Sequence, residues 1–158
     1  MIQDEALLAP ESSVFIANLK SLTKGTTSQL ARTFLEKRLW PVYAKSRNRK
    51  NIDIGDHLLI CTREKSGDSS CWALAKICLK RGTNEKDFAG FEYMMMDVPA
   101  QTLELTDVFI KPPVSAKLLF QRAGTIPENE TRWGVMLMGG FRKLRTIEIK
   151  SYLELVNK

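Results

Sequence analysis

Short apolar runs separated by polar turns make up most of the chain. The runs at residues 13–19, 57–62 and 71–79 are rich in the apolar and β-branched side chains typical of buried strands. Residues 88–98 and 101–105 indicate two further strands. Because only a short polar segment joins 57–62 to 71–79, we expect these two strands to form an antiparallel hairpin.

Two segments instead place apolar residues at helical spacing. Thr26 and Gln29 fit a capping box at the start of the first helix. The apolar positions of this helix are Leu30, Ala31, Phe34, Leu35 and Leu39, and those of the last helix are Ile149, Tyr152, Leu153 and Val156. A shorter helix is predicted at residues 116–120, opened by the proline pair 112–113 and stopped by Gly124.

The last third of the chain, residues 133–156, places a strand-like run beside a basic edge. Residues 133–138 favour a strand that is covered on both faces, and the glycine pair 139–140 ends it. Glycine in such a run marks a bulge or a close approach to the backbone, because no side chain stands in the way. The cations that follow would border this opening.

A second basic segment lies between the first helix and the hairpin. Trp40-Pro41 ends the helix, because proline disfavours the helical conformation in the preceding residue, and residues 40–43 should run extended. Residues 45–51 carry four cations and no apolar side chain, which predicts a loop. Gly55-Asp56 then forms the tight turn into the next strand.

The order of these elements predicts an α+β fold. We expect a small open β-barrel or a strongly curved sheet of five to six mostly antiparallel strands, flanked by two to three helices. A chain of 158 residues is typical of one domain, which we place at residues 13–158 after an N-terminal tail at residues 1–12.

Charge, hydropathy and cysteine content limit the kinds of partner and the cellular compartment that we expect. The formal net charge of +6 is compatible with a polyanion partner. No apolar run approaches the roughly 20 residues needed to span a bilayer, and the acidic start lacks a signal-peptide pattern, so we expect a cytoplasmic protein with no membrane partner. Cys61, Cys71 and Cys78 lie in apolar surroundings and are predicted to be buried thiols.

Enzymatic chemistry finds little support in the sequence. His57 is the only histidine, so there is no Ser-His-Asp arrangement and no Cys-His dyad to propose. The cysteines lack the CxxC spacing of zinc sites, and neither GxGxxG nor GxxxxGK[ST] is present. We therefore predict a non-catalytic protein without a metal or cofactor.

The order and spacing of the motifs resemble the EVE domain of the PUA-like superfamily. The similarity runs from VFIANLKS through WPVYAKSRNRKNIDIGDHLLICT and CWALAKI to WGVMLMGGFRKL and a final IEIKSYL helix, about residues 14–156. EVE domains are relatives of YTH and SRA domains, which read modified bases in RNA or DNA. Some form the recognition module of modification-dependent restriction enzymes, ahead of a GTP-driven motor. Where many members carry a histidine-glycine-lysine turn, residues 44–47 read AKSR, which changes the contents of the pocket.

The resemblance implies a base pocket between the first helix and the barrel. Trp40 and Tyr43 flank that pocket, and stacking on an aromatic ring contributes about 1–3 kcal/mol per base. The other pocket candidates are Asn18, Ser46, Asn48, Trp72 and Trp133. The phosphate-binding candidates are Lys45, Arg47, Arg49, Lys50, Arg142, Lys143 and Arg145. Core packing of the tryptophans and simple solvation of the cations are the alternatives.

We thus predict a module that recognises a modified, extruded base in DNA or RNA while basic loops hold the phosphates. It would be monomeric as an isolated domain and suited to fusion or assembly with a motor or nuclease, as in a modification-dependent restriction system. The alternative is a PUA-like domain that binds a protein or a small ligand and has no role with nucleic acid.

Overall fold

Six strands and three helices account for most of the described residues. The structure, a computed structural model, describes Leu7 and residues 13–19, 27–63, 69–95, 97–126 and 140–157. In chain order the elements are β1 (Val14–Leu19), α1 (Thr27–Lys37), β2 (Leu39–Val42), β3 (His57–Arg63), β4 (Ser69–Gly82), β5 (Gln101–Ser115), α2 (Ala116–Arg122), β6 (Phe141–Lys143) and α3 (Thr146–Val156).

The strands form one sheet in the order β2, β5, β4, β3, β1, β6. β1 pairs with β3 in parallel, and the other four neighbouring pairs are antiparallel. The register of β4 against β5 shifts at three places, and such bulges bend and twist a strand. The sheet is curled into a half-barrel, which confirms the predicted α+β fold with a strongly curved, mostly antiparallel sheet.

Both faces of the sheet are covered. Along β1, Phe15 and Ala17 point to one face and Val14 and Ile16 to the other, as the two-residue period of a strand requires. The first core layer contains Phe15, Ala17, Leu58, Ile60 and Ile77 and is covered by α1. The second core layer contains Val14, Ile16, Leu59, Cys61 and Leu74 and is covered by α2 and α3.

The helices follow most of the predicted apolar stripes, but Leu39, which was predicted on the first helix, begins β2. The helix ends at Lys37, before Trp40-Pro41, because Arg38 adopts a left-handed φ of 58°. α1 buries Leu30, Ala31, Phe34 and Leu35. α3 buries Ile149 and Tyr152, whereas Leu153 and Val156 are half-buried at the edge of the second core layer. α2 begins where Ser115 Oγ accepts a hydrogen bond from Leu118 N at 3.2 Å, and Gly124 follows it with a φ of 76°.

Two predictions about strands need correction. The described residues within 88–98 form no strand: they contain turns and a 3₁₀ turn at Glu92–Met94, and Gly90 has a φ of 91°. The strand predicted at 101–105 exists but continues to Ser115. The proline pair 112–113 therefore lies inside β5, where the register against β4 shifts, and does not open α2.

Several expectations lie outside the described residues, namely the strand at 133–138 and Thr26 of the capping box. Leu7, the described residue of the predicted tail, is buried in the second core layer. No helix in the described part of the chain is long and apolar enough to cross a bilayer.

Candidate functional site

The basic loop, residues 44–51, is a series of turns that leaves the end of β2. Ser46 N donates to Tyr43 O at 3.0 Å, Arg49 N to Ser46 O at 3.3 Å and Asn51 N to Asn48 O at 2.9 Å. Asn48 adopts a φ of 62°, a left-handed conformation that asparagine tolerates better than most residues. The backbone of the loop is thus bonded to itself along its length.

Neighbouring elements hold the basic loop from outside. Lys80 Nζ, near the end of β4, donates to Arg49 O at 2.7 Å and to Ile52 O at 2.8 Å. On the other side Phe141 N donates to Arg47 O at 3.1 Å, and Asn48 Nδ2 donates to Phe141 O at 2.9 Å. The loop is therefore fixed between β4 and β6.

Gly140 allows this close approach. Its φ is 121°, and a Cβ added there would lie 2.7 Å from Arg47 N and 3.0 Å from Ser46 Cβ. Only glycine fits at that distance without displacement of the loop backbone. The expectation that this glycine marks a close approach of two chain segments is confirmed for Gly140, while Gly139 lies outside the described residues.

The cations of the basic loop point outward from this fixed backbone. Lys45, Arg47 and Lys50 are exposed, and Arg49 is half-buried. Within the described part of the chain Lys45, Arg49 and Lys50 form no ion pair. These three cations, which have no ion pair among the described residues, are available to an external anion, so the loop can contact phosphates.

Trp40 and Trp72 are core residues. Trp40 is 3% exposed and packs edge-on against Phe34, with ring centroids 5.8 Å apart. Trp72 is 4% exposed, its indole N–H donates to Thr62 Oγ1 at 2.8 Å, and the Arg32 guanidinium lies 4.6 Å from its ring centroid. Neither ring presents a free face to a ligand in this conformation, so the core-packing alternative accounts for both.

Tyr43 is the pocket candidate that keeps an unusual environment. It packs partly on the first core layer at the start of the basic loop. Its hydroxyl is buried and has no hydrogen-bond partner among the described residues. Burial, together with the negative charge of Asp97, raises the pKa of Tyr43 to about 12. The hydroxyl thus keeps its proton at neutral pH and remains a hydrogen-bond donor.

The polar pocket candidates do not converge on Tyr43. Ser46 Oγ accepts from Tyr43 N at 3.3 Å, and Asn48 bonds to Phe141 O and to Asn51, so both side chains shape the loop itself. Asn18 opposes Cys61 in the register of β1 and β3, which places it on the face of the second core layer. Trp133 lies outside the described residues.

The second group of predicted phosphate ligands is not one surface. Arg142 opposes Ile16 and points to the face covered by α2 and α3. There its guanidinium lies 4.7 Å from the Phe120 ring centroid and 3.2 Å from the Glu148 carboxylate. Arg145 also reaches Glu148, at 3.7 Å, whereas Lys143 is exposed. Residues 140–141 contact the basic loop, but the Arg142 side chain does not line a cleft with it.

Glu148 explains this arrangement. Its side chain is fully buried, and it accepts from Arg145 N at 2.8 Å and from Thr125 Oγ1 at 2.6 Å. Burial by itself would raise its pKa, but these hydrogen bonds and Arg142 outweigh burial, and the net effect lowers the pKa of the carboxyl. Arg142 and Arg145 thus serve the start of α3.

The remaining titratable candidates are structural. Burial and the nearby Lys76 lower the pKa of His57, which begins β3. Cys61 and Cys71 oppose each other in the hairpin and are fully buried; a hydrogen bond with Cys61, followed by burial, raises the pKa of the Cys71 thiol. Cys78 differs from the prediction of a buried thiol: it is exposed, in the last part of β4, where burial of the strand ends after Ile77.

A cleft that the sequence did not reveal lies beside the basic loop. It has a volume of about 460 Å³ and is formed by residues 83–99, which connect β4 to β5. Its apolar lining comprises Phe88, Met95, Val98 and Pro99, and its carboxylates are Glu85, Glu92 and Asp97. β2 ends beside the start of β5, where Ala100 N donates to Val42 O at 2.8 Å, so the loop and the cleft share one end of the sheet.

The cleft and the basic loop carry opposite charge. The described residues that line the cleft include three carboxylates and no lysine or arginine. A partly buried group of three charged residues lies next to the cleft: Arg81 contacts Asp87 at 2.8 Å and Glu104 at 2.7 Å. The Arg81 guanidinium lowers the pKa of Asp87 to about 2. The sequence did not predict this cleft for two reasons. Residues 88–98 were interpreted as a strand, and the acids at 85, 92 and 97 follow no spacing that indicates a shared site.

Comparison with known proteins supports the fold alone. No family model matches the sequence, and no curated protein matches it. The structure is similar to the crystal structure of protein Atu2648 from Agrobacterium tumefaciens, with a TM-score of 0.51. The two share 14% sequence identity over 92% of this chain and 91% of that chain. At that identity the likeness extends to the whole architecture and says nothing of activity.

Proposed function

We propose that this domain is a non-catalytic nucleic-acid-binding module whose basic loop holds the phosphate backbone. The observation that carries the proposal is the loop itself: four cations lie within six residues on a backbone that is bonded to β4 and β6. A fixed loop loses little conformational freedom on binding, so its cations are suited to fixing the register of a polyanion.

The expected binding is electrostatic. Each phosphate that a cation neutralises releases counterions and adds about 0.9 to the salt slope with duplex DNA, or about 0.7 with a single strand. If all four cations contact phosphates, the slope of log affinity against log salt is about three to four. Such contacts position a nucleic acid and carry no sequence information.

Recognition of a base is the further part of the proposal. The resemblance to EVE domains supports a modified base as the target. Among the aromatic candidates that the structure describes, Trp40 and Trp72 are buried, whereas Tyr43 is partly exposed and its hydroxyl has no described hydrogen-bond partner. An extruded base beside Tyr43 would gain stacking on its ring, whereas the hydroxyl itself is buried. In a modification-dependent restriction system such a module would serve as the cytoplasmic target-recognition domain.

The test is a binding titration with modified and unmodified oligonucleotides, single- and double-stranded, between about 50 and 200 mM salt. The Lys45→Ala/Lys50→Ala variant should lower the salt slope by about two. The control Lys117→Ala/Lys150→Ala removes the same charge from α2 and α3 and should leave the slope unchanged. Salt-insensitive binding, no binding to any oligonucleotide, or an equal loss in the control would refute the proposal.

The alternative function, binding of a protein or small ligand, is favoured by a separate observation. The cleft at residues 83–99 has an apolar lining and a negative rim, which suits a ligand other than a polyanion.

A further inference from the structure

The cleft at residues 83–99 has the composition of a binding site for a cation. Phe88 and Met95 are 4% and 3% exposed, so they form a packed apolar floor, while Val98 and Pro99 form a more accessible wall. The three carboxylates are exposed around this floor. A volume of about 460 Å³ falls within the range of about 300–1,000 Å³ that is usual for ligand pockets.

Among the described residues, the rim carboxylates have no cationic partner. In the described part of the chain Glu85, Glu92 and Asp97 form no ion pair, although the chain carries a net charge of +6. Other carboxylates are neutralised: Asp87, Glu104, Glu148 and Glu154 each contact an arginine. Three like charges around one apolar cleft repel each other, and a cation bound between them would relieve that repulsion.

Hydrogen bonds hold the segment that forms the cleft in a fixed conformation. Asp87 accepts from Asn84 N at 2.8 Å and from Thr102 Oγ1 at 2.9 Å. Nη1 and Nη2 of Arg81 also donate to the two oxygens of Asp87 and form a bidentate pair. Glu92 and Asp97 are oriented by the backbone, since each accepts a nearby N–H, from Gly90 at 2.9 Å and from Val98 at 2.8 Å. Each retains lone pairs for a ligand.

We propose that this cleft binds a lysine or arginine side chain of a basic peptide segment, with the aliphatic stem on the apolar floor and the cationic head among the carboxylates. An apolar stem and a charged head match the two surfaces in that order. A nucleic acid is a poor occupant, because its phosphates would meet three carboxylates. One end of the sheet would then carry two separate sites of opposite charge.

The test uses two small probes and the assigned amide NMR spectrum of the protein. N-acetyl-arginine-N-methylamide should shift the amides of Asn84, Glu92 and Val98, and N-acetyl-citrulline-N-methylamide, which has the same shape without the charge, should bind about fivefold more weakly. A short basic peptide should shift the same amides at lower concentration, since it adds contacts along the cleft.

Variants complete the test. Glu92→Gln/Asp97→Asn keeps an acceptor for both backbone bonds and should reduce the arginine preference to less than twofold, whereas Glu154→Gln on α3 should retain it. Equal binding of arginine and citrulline probes, or no shift at residues 83–99, overturns the proposal. So does an oligonucleotide that shifts these amides, because the cleft would then hold a base. Basic-loop variants leave this outcome untouched, so the two proposals fail independently.

Discussion

The Glu148→Gln substitution should strongly lower the stability of the fold, because it replaces one oxygen of a buried carboxylate with an NH₂ group. The carboxylate is fully buried and accepts from Arg145 N, from Thr125 Oγ1 and from Arg142 Nη1. Glutamine preserves the size but presents one acceptor oxygen and an NH₂ group to these donors. Arg142, at 21% side-chain exposure, would be left over the Phe120 ring without an anion.

The magnitude follows from these contacts. Breaking a buried ion pair by removing one partner costs about 3–5 kcal/mol, and the partial exposure of Arg142 places the value near the lower end. The Arg145 pair adds little, because Arg145 is 59% exposed and screened by water. We expect a loss of about 3 kcal/mol in the free energy of unfolding at pH 7, which corresponds to a drop in Tm of roughly 6–12 °C for a domain of this size.

The pH dependence provides a second readout. The pKa of Glu148 is lower in the folded than in the unfolded state, so its contribution is fully present above the unfolded pKa and is lost as the pH falls through the folded pKa. Urea unfolding monitored by circular dichroism at pH 7 and pH 3 should therefore show a large gap between wild type and Glu148→Gln that narrows in acid. Glu154→Gln, which breaks an exposed pair with Arg122, should cost less than about 1 kcal/mol. Equal losses in the two variants, or a gap independent of pH, would refute the reasoning.

Two further substitutions test the neighbourhood of the basic loop. Gly140→Ala should lower the free energy of unfolding, measured in urea, by about 2–4 kcal/mol and weaken oligonucleotide binding, because the new Cβ would clash with Arg47 N. The control Gly82→Ala should be neutral, since a Cβ there has nothing within 4 Å. Equal effects of the two substitutions would contradict this account. Tyr43→Phe should leave stability unchanged or raise it by about 1 kcal/mol, since it removes a buried hydroxyl without a described partner. The same variant should lack the ultraviolet phenolate step near pH 12. In the wild type, a folded pKa raised from 10.0 to about 12 means that stability falls as the pH rises through that interval.

The sequence was most informative where one period runs without interruption. The stripe of α1 and the apolar runs of β1 and β3 are largely buried, as their spacing predicts. The stripe of α3 and the run of β4 are buried in part, since Leu153 and Val156 are half-buried and Cys78 and Leu79 are exposed. The prediction for residues 88–98 was wrong because their aromatic and methionine content is typical of a strand. Among the described residues of this range Phe88 and Met95 are buried in the core, and Phe91 and Met94 pack partly against it. Tyr93 is 69% and Val98 80% exposed, and the left-handed Gly90 breaks the extension.

The site was harder to predict for a different reason. Charge and loop composition located the four cations of the basic loop, because a run without apolar residues has to lie at the surface. The destination of Arg142 depended on the pairing of β6 with β1, since that register decides which face of the sheet a side chain joins. Its partner Glu148 lies on another element, and no local pattern in the sequence connects the two residues.

β1 lies between β3 and β6 in the sheet, and this position constrains the order in which the strands can pair during folding. β1 is synthesised before β6, which pairs with it, and before α3, which covers Ile16. A nascent chain on the ribosome would therefore expose one edge of β1 until β6 and α3 emerge. Contacts between such distant segments form slowly, because a long loop has to close first. Completion of the sheet should be the slow step of folding and the period of greatest exposure to aggregation and to chaperones.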